Sequence, residues 1–359
     1  MSSSAHRRQT SRTTMVIGAA VAGALAVGGG FVVAGSAMAT KAPRPGAPTA
    51  GAPTAGTSAA GAKAGFAPYV DTSLTPAFDL AGTAQQTGVK HFTLAFLTSG
   101  GGCVPKWGGS GDLGSDAVAK QIPALRKAGG DVRVSFGGAN GTELAAACSS
   151  ASQLAAAYGK AVDQYKLTKV DFDIEGGALP DTAANTRRAQ AIAQLQKQHP
   201  GLDVSFTLPV MPEGLTQDGV NLLANAKQNG ARISAVNIMA MDYGSSYNGN
   251  MGTYATQAAT ATQAQLKKAL GLGDADAWRT VAVTPMIGVN DVQGEVFKPA
   301  DAAALVKFAQ SKHLAWLAMW SANRDRPCPG GSTNSAQPTC SSLDQAPLAF
   351  TKALGAYTG

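Results

Sequence analysis

The sequence predicts an α/β fold, a (β/α)8 TIM barrel, over residues 65–359 of a 359-residue chain. Short apolar runs rich in Val, Ile and Phe alternate with longer stretches rich in Ala, Leu, Gln and Lys. The runs are typical of strands and the stretches of helices, and strands that alternate with helices pair in parallel. Eight such strands in a domain of this size indicate a closed barrel.

The elements are predicted from these local patterns in chain order. The predicted strands are 66–70, 91–97, 132–136, 169–175, 204–208, 233–241, 281–287 and 314–320. The predicted helical stretches include 117–127, 144–165, 183–198, 219–229, 256–270 and 299–311. An open, doubly wound sheet is the alternative, and it carries a phosphate-binding glycine pattern after its first strand. Gly109, Gly111 and Gly114 match that pattern formally but follow the second predicted strand, so we interpret them as a flexible loop.

Residues 1–39 are predicted to be a secretory signal peptide. Three arginines precede an apolar, Ala- and Gly-rich run at 15–33, and Ala37-Met38-Ala39 has the small residues of a cleavage site. The protein is therefore expected to be secreted to the extracellular space, with no stable membrane association. Because the uncharged run is long enough to span a bilayer, an uncleaved membrane anchor is the alternative.

Residues 40–64 consist almost entirely of Ala, Pro, Gly, Thr and Ser. Such a segment cannot bury a core and is predicted to be a disordered linker before a catalytic domain at 65–359. The first 64 residues hold six basic residues and no acid, so removing them from the net charge of +7 leaves +1. This balance excludes a basic nucleic-acid-binding surface and favours an uncharged substrate.

Four cysteines fit two disulfides in an exported protein. Three pairings are possible, and we favour Cys103–Cys148 together with Cys328–Cys340, since the second pair closes a short loop rich in Gly, Ser, Thr and Pro. Zinc binding is the alternative, but the sequence contains no CxxC pair and its four histidines are scattered. We therefore expect no metal and no cofactor.

The most informative stretch is 170–177, in which three acids alternate with apolar residues. Asp171, Asp173 and Glu175 lie on one face of the predicted fourth strand, and Phe172 and Ile174 lie on the other. Neighbouring buried acids are energetically costly and occur where shifted proton affinities are used. The pattern predicts acid chemistry at the carboxyl end of this strand. A polar edge strand without chemistry is the alternative.

The carboxyl ends of the other predicted strands supply amides, acids and aromatic rings. In a barrel, these ends meet at one rim, where the active site lies. Carboxylates beside flat aromatic faces are typical of sugar-binding sites. The rim residues are Tyr69, Asp71, Ser135, Gly137, Gly138, Asn140, Met239, Asp242, Tyr243, Met286, Asn290 and Trp320.

Two of these motifs resemble glycoside hydrolase family 18, which contains chitinases and endo-β-N-acetylglucosaminidases. Asp171, Asp173 and Glu175 match the last three acids of its D-x-x-D-x-D-x-E signature, and the segment 135–138 matches its S-x-G-G signature. Met239 with Asp242 resembles the M-x-Y-D motif, and the tryptophan at 320 resembles the one on strand eight. The resemblance extends from about residue 66 to the end of the chain.

The sequence departs from the family pattern at two positions. Thr168 replaces the first acid of the signature, which is the acid most distant from the reaction. Met241 occupies the position of the strand-six tyrosine, and Tyr243 follows Asp242. The resemblance implies that this tyrosine binds the acetamido carbonyl of the substrate, and Tyr243 is the candidate for that role.

The resemblance implies a secreted chitinase that cleaves β-1,4-linked N-acetylglucosamine polymers by substrate-assisted retaining hydrolysis. Glu175 is the implied general acid and base, Asp173 orients the acetamido group, and Asp171 shares a proton with Asp173. An endo-β-N-acetylglucosaminidase acting on N-glycans and a non-catalytic chitin-binding lectin remain alternatives. The expected partners are chitin or its oligosaccharides, and the protein is expected to be a monomer. The implied substrate-binding residues are Tyr69, Ser135, Gly137, Gly138, Met239, Asp242, Tyr243 and Trp320.

Overall fold

A computed structural model describes residues 65–359, so the predicted signal peptide and linker lie outside the described residues. The described part is an α/β structure. Its strands are β1 Tyr69–Asp71, β2 His91–Ser99, β3 Pro105–Trp107, β4 Asp131–Gly137, β5 Lys169–Asp173, β6 Asp203–Met211, β7 Gly214–Leu215, β8 Ala235–Ala240, β9 Val281–Pro285, β10 Gly288–Val289 and β11 Val296–Phe297. Its α-helices are α1 Leu80–Thr87, α2 Ile122–Lys127, α3 Leu144–Ala147, α4 Ala151–Tyr165, α5 Thr182–Gln198, α6 Gln217–Gln228, α7 Met251–Leu270, α8 Asp274–Thr280, α9 Pro299–Lys312 and α10 Ala349–Leu354.

Seven parallel strands form the main sheet in the order β1-β2-β4-β5-β6-β8-β9. The short strands β3 and β7 pair antiparallel with β2 and β6, and β10 with β11 forms a separate hairpin. Strand order follows chain order without reversal. The doubly wound alternative is therefore wrong, because that fold requires a point at which the strand order reverses.

The predicted eighth strand, 314–320, does not form a continuous strand. Leu317 instead makes isolated parallel bridges to Phe66 and Val283, and Trp320 makes one to Met286. The observed sheet is thus a curled row of seven parallel strands. The predicted α/β class with a curled parallel sheet is confirmed, whereas a complete (β/α)8 barrel is not. The physical difference is that single bridges replace the regular ladder that joins the other strands.

Two predicted helices are divided because the chain turns within them. The stretch 117–127 consists of a 3₁₀ turn followed by α2, and the stretch 144–165 consists of α3 and α4. Cys148 between α3 and α4 has an extended backbone, and Ser150 then caps α4 by accepting the amide of Gln153 at 3.3 Å. The break allows Cys148 to bond Cys103.

Both disulfides have the favoured pairing, Cys103–Cys148 and Cys328–Cys340. The first joins the loop between β2 and β3 to the end of α3. Within residues 65–359, no helix is both long and apolar enough to cross a membrane.

Strand β5 has the alternation that its sequence predicts. Phe172 is fully buried and packs against Phe136 of β4, Phe206 of β6 and Tyr158 of α4, at ring separations of 4.9–5.8 Å. This aromatic layer fixes the strand against its helix. Because successive side chains alternate, Asp171 and Asp173 project to the opposite face, inside the curled sheet.

Candidate active site

The strand register brings polar side chains to the level of the β5 acids. Asp171 pairs with Ser135 on β4 and Ser205 on β6, and Asp173 pairs with Thr207. Paired residues of parallel neighbours point to the same face of a sheet. The interior face therefore has a row of hydroxyls on both sides of the acids.

A cavity of about 340 Å³ opens at the carboxyl ends of the strands. Five acidic residues line it, and among the described residues no Lys, Arg or His does. Hydroxyls, thioethers and aromatic rings complete a wall that suits a neutral, hydroxyl-rich ligand. The lining residues are Tyr69, Asp71, Ser73, Phe96, Thr98, Gly108, Ala139, Asn140, Gly141, Asp173, Glu175, Thr207, Met239, Met241, Asp242, Thr284, Met286, Asp291 and Trp320.

Asp171 lies beneath the cavity, and hydroxyl groups saturate its carboxylate. One oxygen accepts from Ser205 at 2.5 Å and Thr207 at 2.9 Å. The other accepts from Tyr69 at 3.0 Å and Ser135 at 2.7 Å. Asp171 has no exposed surface, so these four donors replace the water that burial removes. Asp171 is thus held as a fixed acceptor of hydrogen bonds.

Asp173 lies directly above Asp171 but, unlike Asp171, is not saturated with hydrogen bonds. The residue is 3% exposed, and its Oδ1 has no hydrogen-bond partner among the described residues. Burial raises the pKa of Asp173 well above its ordinary value, and the nearby charges of Glu175 and Asp171 raise it further. A buried carboxyl oxygen without a partner is unfavourable, so this atom is available to a ligand donor.

Glu175 follows the end of β5 at the mouth of the cavity and is half-buried. Burial, followed by the charge of Asp242, raises the pKa of Glu175 to about 7. The carboxyl group is therefore largely protonated in mildly acidic solution and can donate a proton to a bound group. This property is what a general acid near neutral pH requires.

Asp242 reaches the cavity from the segment after β8. Its backbone is left-handed, with φ of 52°, and its Oδ1 accepts the amide of Val292 at 3.0 Å. Burial raises the pKa of Asp242, although the hydrogen bond from Val292 lowers it. Met239, at the end of β8, also lines the cavity.

Three aromatic rings form one wall of the cavity. Trp320 stacks on Phe96 with a ring separation of 5.5 Å and an interplanar angle of 24°, and Tyr69 packs against both. Sequence reasoning did not single out Phe96, although it lies near the carboxyl end of β2, where rim residues are expected. The stacked pair presents a flat apolar surface to a ligand.

Two glycines of the S-x-G-G motif shape the site without lining the cavity. A Cβ on Gly137 would overlap the carbonyl oxygen of Asp173, and a Cβ on Gly138 would lie 2.7 Å from a ring carbon of Phe96. Both glycines have left-handed backbones, with φ of 105° and 88°. They therefore permit the close approach of β5 and of the aromatic wall.

We expect Gly138→Ala to lower the free energy of unfolding by about 1–3 kcal/mol, because the methyl group displaces Phe96 and strains the backbone. Displacement of Phe96 should also raise KM. Gly177→Ala is the matched control, since a Cβ there meets nothing within 4 Å although it lies two residues from Glu175. Urea unfolding of both variants checks this, and equal stabilities would contradict it.

The structure brings most, but not all, of the sequence-predicted residues to the cavity. Tyr69, Asp173, Glu175, Met239, Asp242 and Trp320 line it, whereas Asp171 and Ser135 lie beneath. Tyr243 does not line it. The left-handed turn at Asp242 directs the buried Tyr243 against the partly exposed rings of Tyr247 and Tyr254, at ring separations of 5.8 Å. Met241 is on the cavity wall instead.

Several lining residues were not selected from the sequence, including Phe96, Thr98, Thr207, Thr284 and Asp291. Thr207 and Thr284 could have been predicted from the sequence, because both lie on predicted strands at inward-facing positions. No sequence pattern predicts Asp291 at the cavity, because it belongs to the turn between β10 and β11. Within residues 65–359 no group of three or more His, Cys, Asp or Glu side chains is arranged to hold a metal ion. The expectation of no cofactor stays a prediction.

Acids, hydroxyls and an aromatic wall at the carboxyl ends of parallel strands define a class of site typical of carbohydrate-processing proteins. Comparisons with known proteins agree with this class. A probable bifunctional chitinase/lysozyme from Escherichia coli (strain K12) is 39% identical over 312 residues, covering 82% of this chain and 34% of the relative. Endochitinase 11 from Metarhizium anisopliae is 39% identical over 281 residues, covering 73% of this chain and 52% of the relative. No family model matches the chain.

A solved structure gives the closer correspondence in length. Active domain 2 of a chitinase from Pyrococcus furiosus is 34% identical, with a TM-score of 0.75, and the match covers 82% of this chain and 95% of that domain. The chain belongs to the family of these chitinases, and the motifs that it carries on β4 and β5 match those of glycoside hydrolase family 18. It spans about a third and about half of the length of the two curated relatives.

Proposed function

We propose that the protein is a chitinase that cleaves β-1,4-linked N-acetylglucosamine polymers with retention of anomeric configuration. The observation that carries the proposal is the pair of Asp173 and Glu175 at the cavity. One has a buried, unpartnered oxygen, and the other has a pKa raised to about 7. A related domain from Pyrococcus furiosus, 34% identical, has been solved in complex with chito-oligosaccharides. Chitin oligosaccharides are accordingly the proposed partners of this chain.

The first step of the proposed reaction forms a ring on the sugar. Glu175 transfers its proton to the glycosidic oxygen, and the bond between this oxygen and the anomeric carbon breaks with its electron pair on the leaving sugar. The acetamido oxygen of the same sugar bonds to the anomeric carbon, giving an oxazolinium ion. Oδ1 of Asp173 accepts the acetamido N–H and stabilises the positive charge that develops. This chemistry departs from the usual scheme with two catalytic carboxylates.

The second step reverses the roles. The Glu175 carboxylate takes a proton from water, and the water oxygen bonds to the anomeric carbon from the face that the leaving group vacated. The ring opens, the acetamido group is restored, and Glu175 regains its proton. Asp171 remains fixed by its four hydroxyl donors. Asp173 faces the oxazolinium ion in its ionised form, because the positive charge offsets the burial and neighbouring charges that raise its pKa in the free protein, and the proton that it shared passes to Asp171.

The wider context of this activity is also proposed. Secretion is supported by the leader-like sequence at 1–39, and the protein is proposed to act as a monomer. We further propose that segment 314–320 closes the sheet into a (β/α)8 barrel. The bridges of Leu317 to both neighbouring segments, together with hydrogen bonds from Ala318 to Val283 and from Tyr69 to Met319, support closure.

The proposed function is tested with a chitin hexasaccharide and proton NMR of the first products. We expect initial release of the β-anomer, because the acetamido oxygen and water each invert the anomeric carbon once. Initial release of the α-anomer would contradict retention. Binding without any product would favour a lectin, and cleavage of N-glycans in place of the hexasaccharide would favour an endo-β-N-acetylglucosaminidase.

A further inference from the structure

Glu295 is a buried acid that the proposed mechanism does not use. It lies at the end of the turn between β10 and β11 and is 1% exposed. Its carboxylate oxygens accept the backbone amides of Tyr243 at 3.1 Å and Gly244 at 2.8 Å. These two amides immediately follow Asp242. A carboxylate from one loop thus holds the backbone of another.

The contact between the two loops is reciprocal. Glu295 binds the segment after β8, and Asp242 from that segment accepts the amide of Val292 in the turn that leads to Glu295. The turn itself is closed by bonds from Asn290 N to Glu295 O at 3.0 Å and from Glu295 N to Val292 O at 3.2 Å. Each carboxylate therefore fixes the backbone that carries the other.

The backbone conformation at Asp242 shows why this contact matters. A left-handed conformation is less favourable for aspartate than for glycine, and contacts with the surroundings hold it in place. The two amides after Asp242 are the groups that a return to the extended conformation would move. Because Glu295 accepts both, its carboxylate is the contact that opposes this return.

We propose that Glu295 is a positioning residue of this site, which fixes the left-handed turn at Asp242 and thereby places the Asp242 carboxylate beside Glu175. The effect of Glu295 on catalysis rests on the proposed function. The contacts between Glu295 and the turn at Asp242 do not depend on that function. The charged groups around this arrangement are Asp173 and Asp242 near Glu175, and Asp291 and Arg324 near Asp242. Burial also raises the pKa of Glu295, although its two backbone bonds lower it.

The direct test measures the pKa of Glu175 by NMR with glutamate labelled at its side-chain carboxyl carbon. The chain contains four glutamates, at 143, 175, 213 and 295, so substitution assigns each signal. In Glu295→Gln, one of the two amides loses its carboxylate acceptor, and Asp242 is released from its position. We expect the pKa of Glu175 to fall by about half a unit, which equals about a threefold loss of kcat/KM on the alkaline side of its pH profile.

Asp325→Asn is the matched control. Asp325 is also buried and also accepts two consecutive backbone amides, those of Phe350 and Thr351, but it lies outside the cavity lining. A loss of structural support alone lowers Tm in both variants and leaves the pKa of Glu175 unchanged. An unchanged pKa in Glu295→Gln overturns the proposal.

A double substitution separates positioning from the charge of Glu295 itself. In the Asp242→Asn background, Glu295→Gln is expected to cause no further fall in the pKa of Glu175, because no Asp242 charge remains to be misplaced. A fall of the same size in both backgrounds overturns the proposal. Because NMR reports the pKa without turnover, an enzyme inactive on chitin would refute the proposed function while still testing the role of Glu295.

Discussion

Replacing Glu175 with Gln is expected to lower kcat on chitin oligosaccharides by about two to four orders of magnitude. An amide cannot transfer a proton to the glycosidic oxygen, and general acid catalysis contributes a factor of this size. The change keeps the shape of the side chain, so substrate should still bind. Steady-state kinetics with a chitobioside chromogen and a separate binding titration measure the two effects.

Glu213→Gln is the matched control for this substitution. Glu213 is exposed and bonds the hydroxyl of Tyr247 at 2.9 Å, so the same chemical change there should leave kcat unchanged. If Glu175→Gln retained the wild-type rate, the assignment of the general acid would be wrong.

The pH profile tests the same role without a substitution. Because burial and Asp242 raise the pKa of Glu175 to about 7, the group is protonated below this pH and loses its proton above it. The value of kcat/KM should therefore fall as pH rises through about 7. An activity that keeps increasing through this range would show that Glu175 does not act as the acid.

The sequence was sufficient to predict the acids of β5 and their orientation. The alternation of Asp171, Asp173 and Glu175 with two apolar residues has the period of a strand, and burial of Phe172 among aromatic rings leaves only one direction for the acids. The disulfide pairing was also predictable, because Cys328 and Cys340 enclose a short loop rich in Gly, Ser, Thr and Pro, which leaves Cys103 to pair with Cys148.

The cavity wall was harder to predict because it depends on loops and on backbone conformation. Asp291 lies in a turn whose position is set by contacts with the segment after β8, which no local pattern reveals. Tyr243 was expected at the substrate because it follows Asp242, but a left-handed residue redirects the chain. That conformation depends on Glu295, more than 50 residues further along the chain. The eighth strand was predicted from apolar composition, which does not distinguish isolated bridges from a continuous ladder.

Replacing Asp173 with Asn is expected to lower kcat by about two to three orders of magnitude. The proposed intermediate carries positive charge beside Asp173, and a neutral side chain removes the electrostatic stabilisation of that charge. The same substitution removes a buried carboxyl group whose ionised form is disfavoured by burial and by the charges of Glu175 and Asp171. The catalytic loss should therefore occur without a loss of folding stability.

The stability of the Asp173→Asn variant gives the discriminating measurement. A carboxyl group whose pKa is higher in the folded than in the unfolded state stabilises the folded protein fully at pH values below its unfolded-state pKa. This stabilisation is lost as pH rises through its folded-state pKa. Wild-type stability should therefore decrease over this range relative to the variant, and the variant should have an equal or higher Tm at neutral pH.

Asp301→Asn is the buried control. Asp301 caps α9 and accepts a hydrogen bond from Asn250 at 2.6 Å, so the loss of its carboxylate should lower Tm. A variant of Asp173 that unfolded like the Asp301 control, or that kept the wild-type rate, would show that Asp173 is structural and that the acetamido-assisted mechanism is wrong.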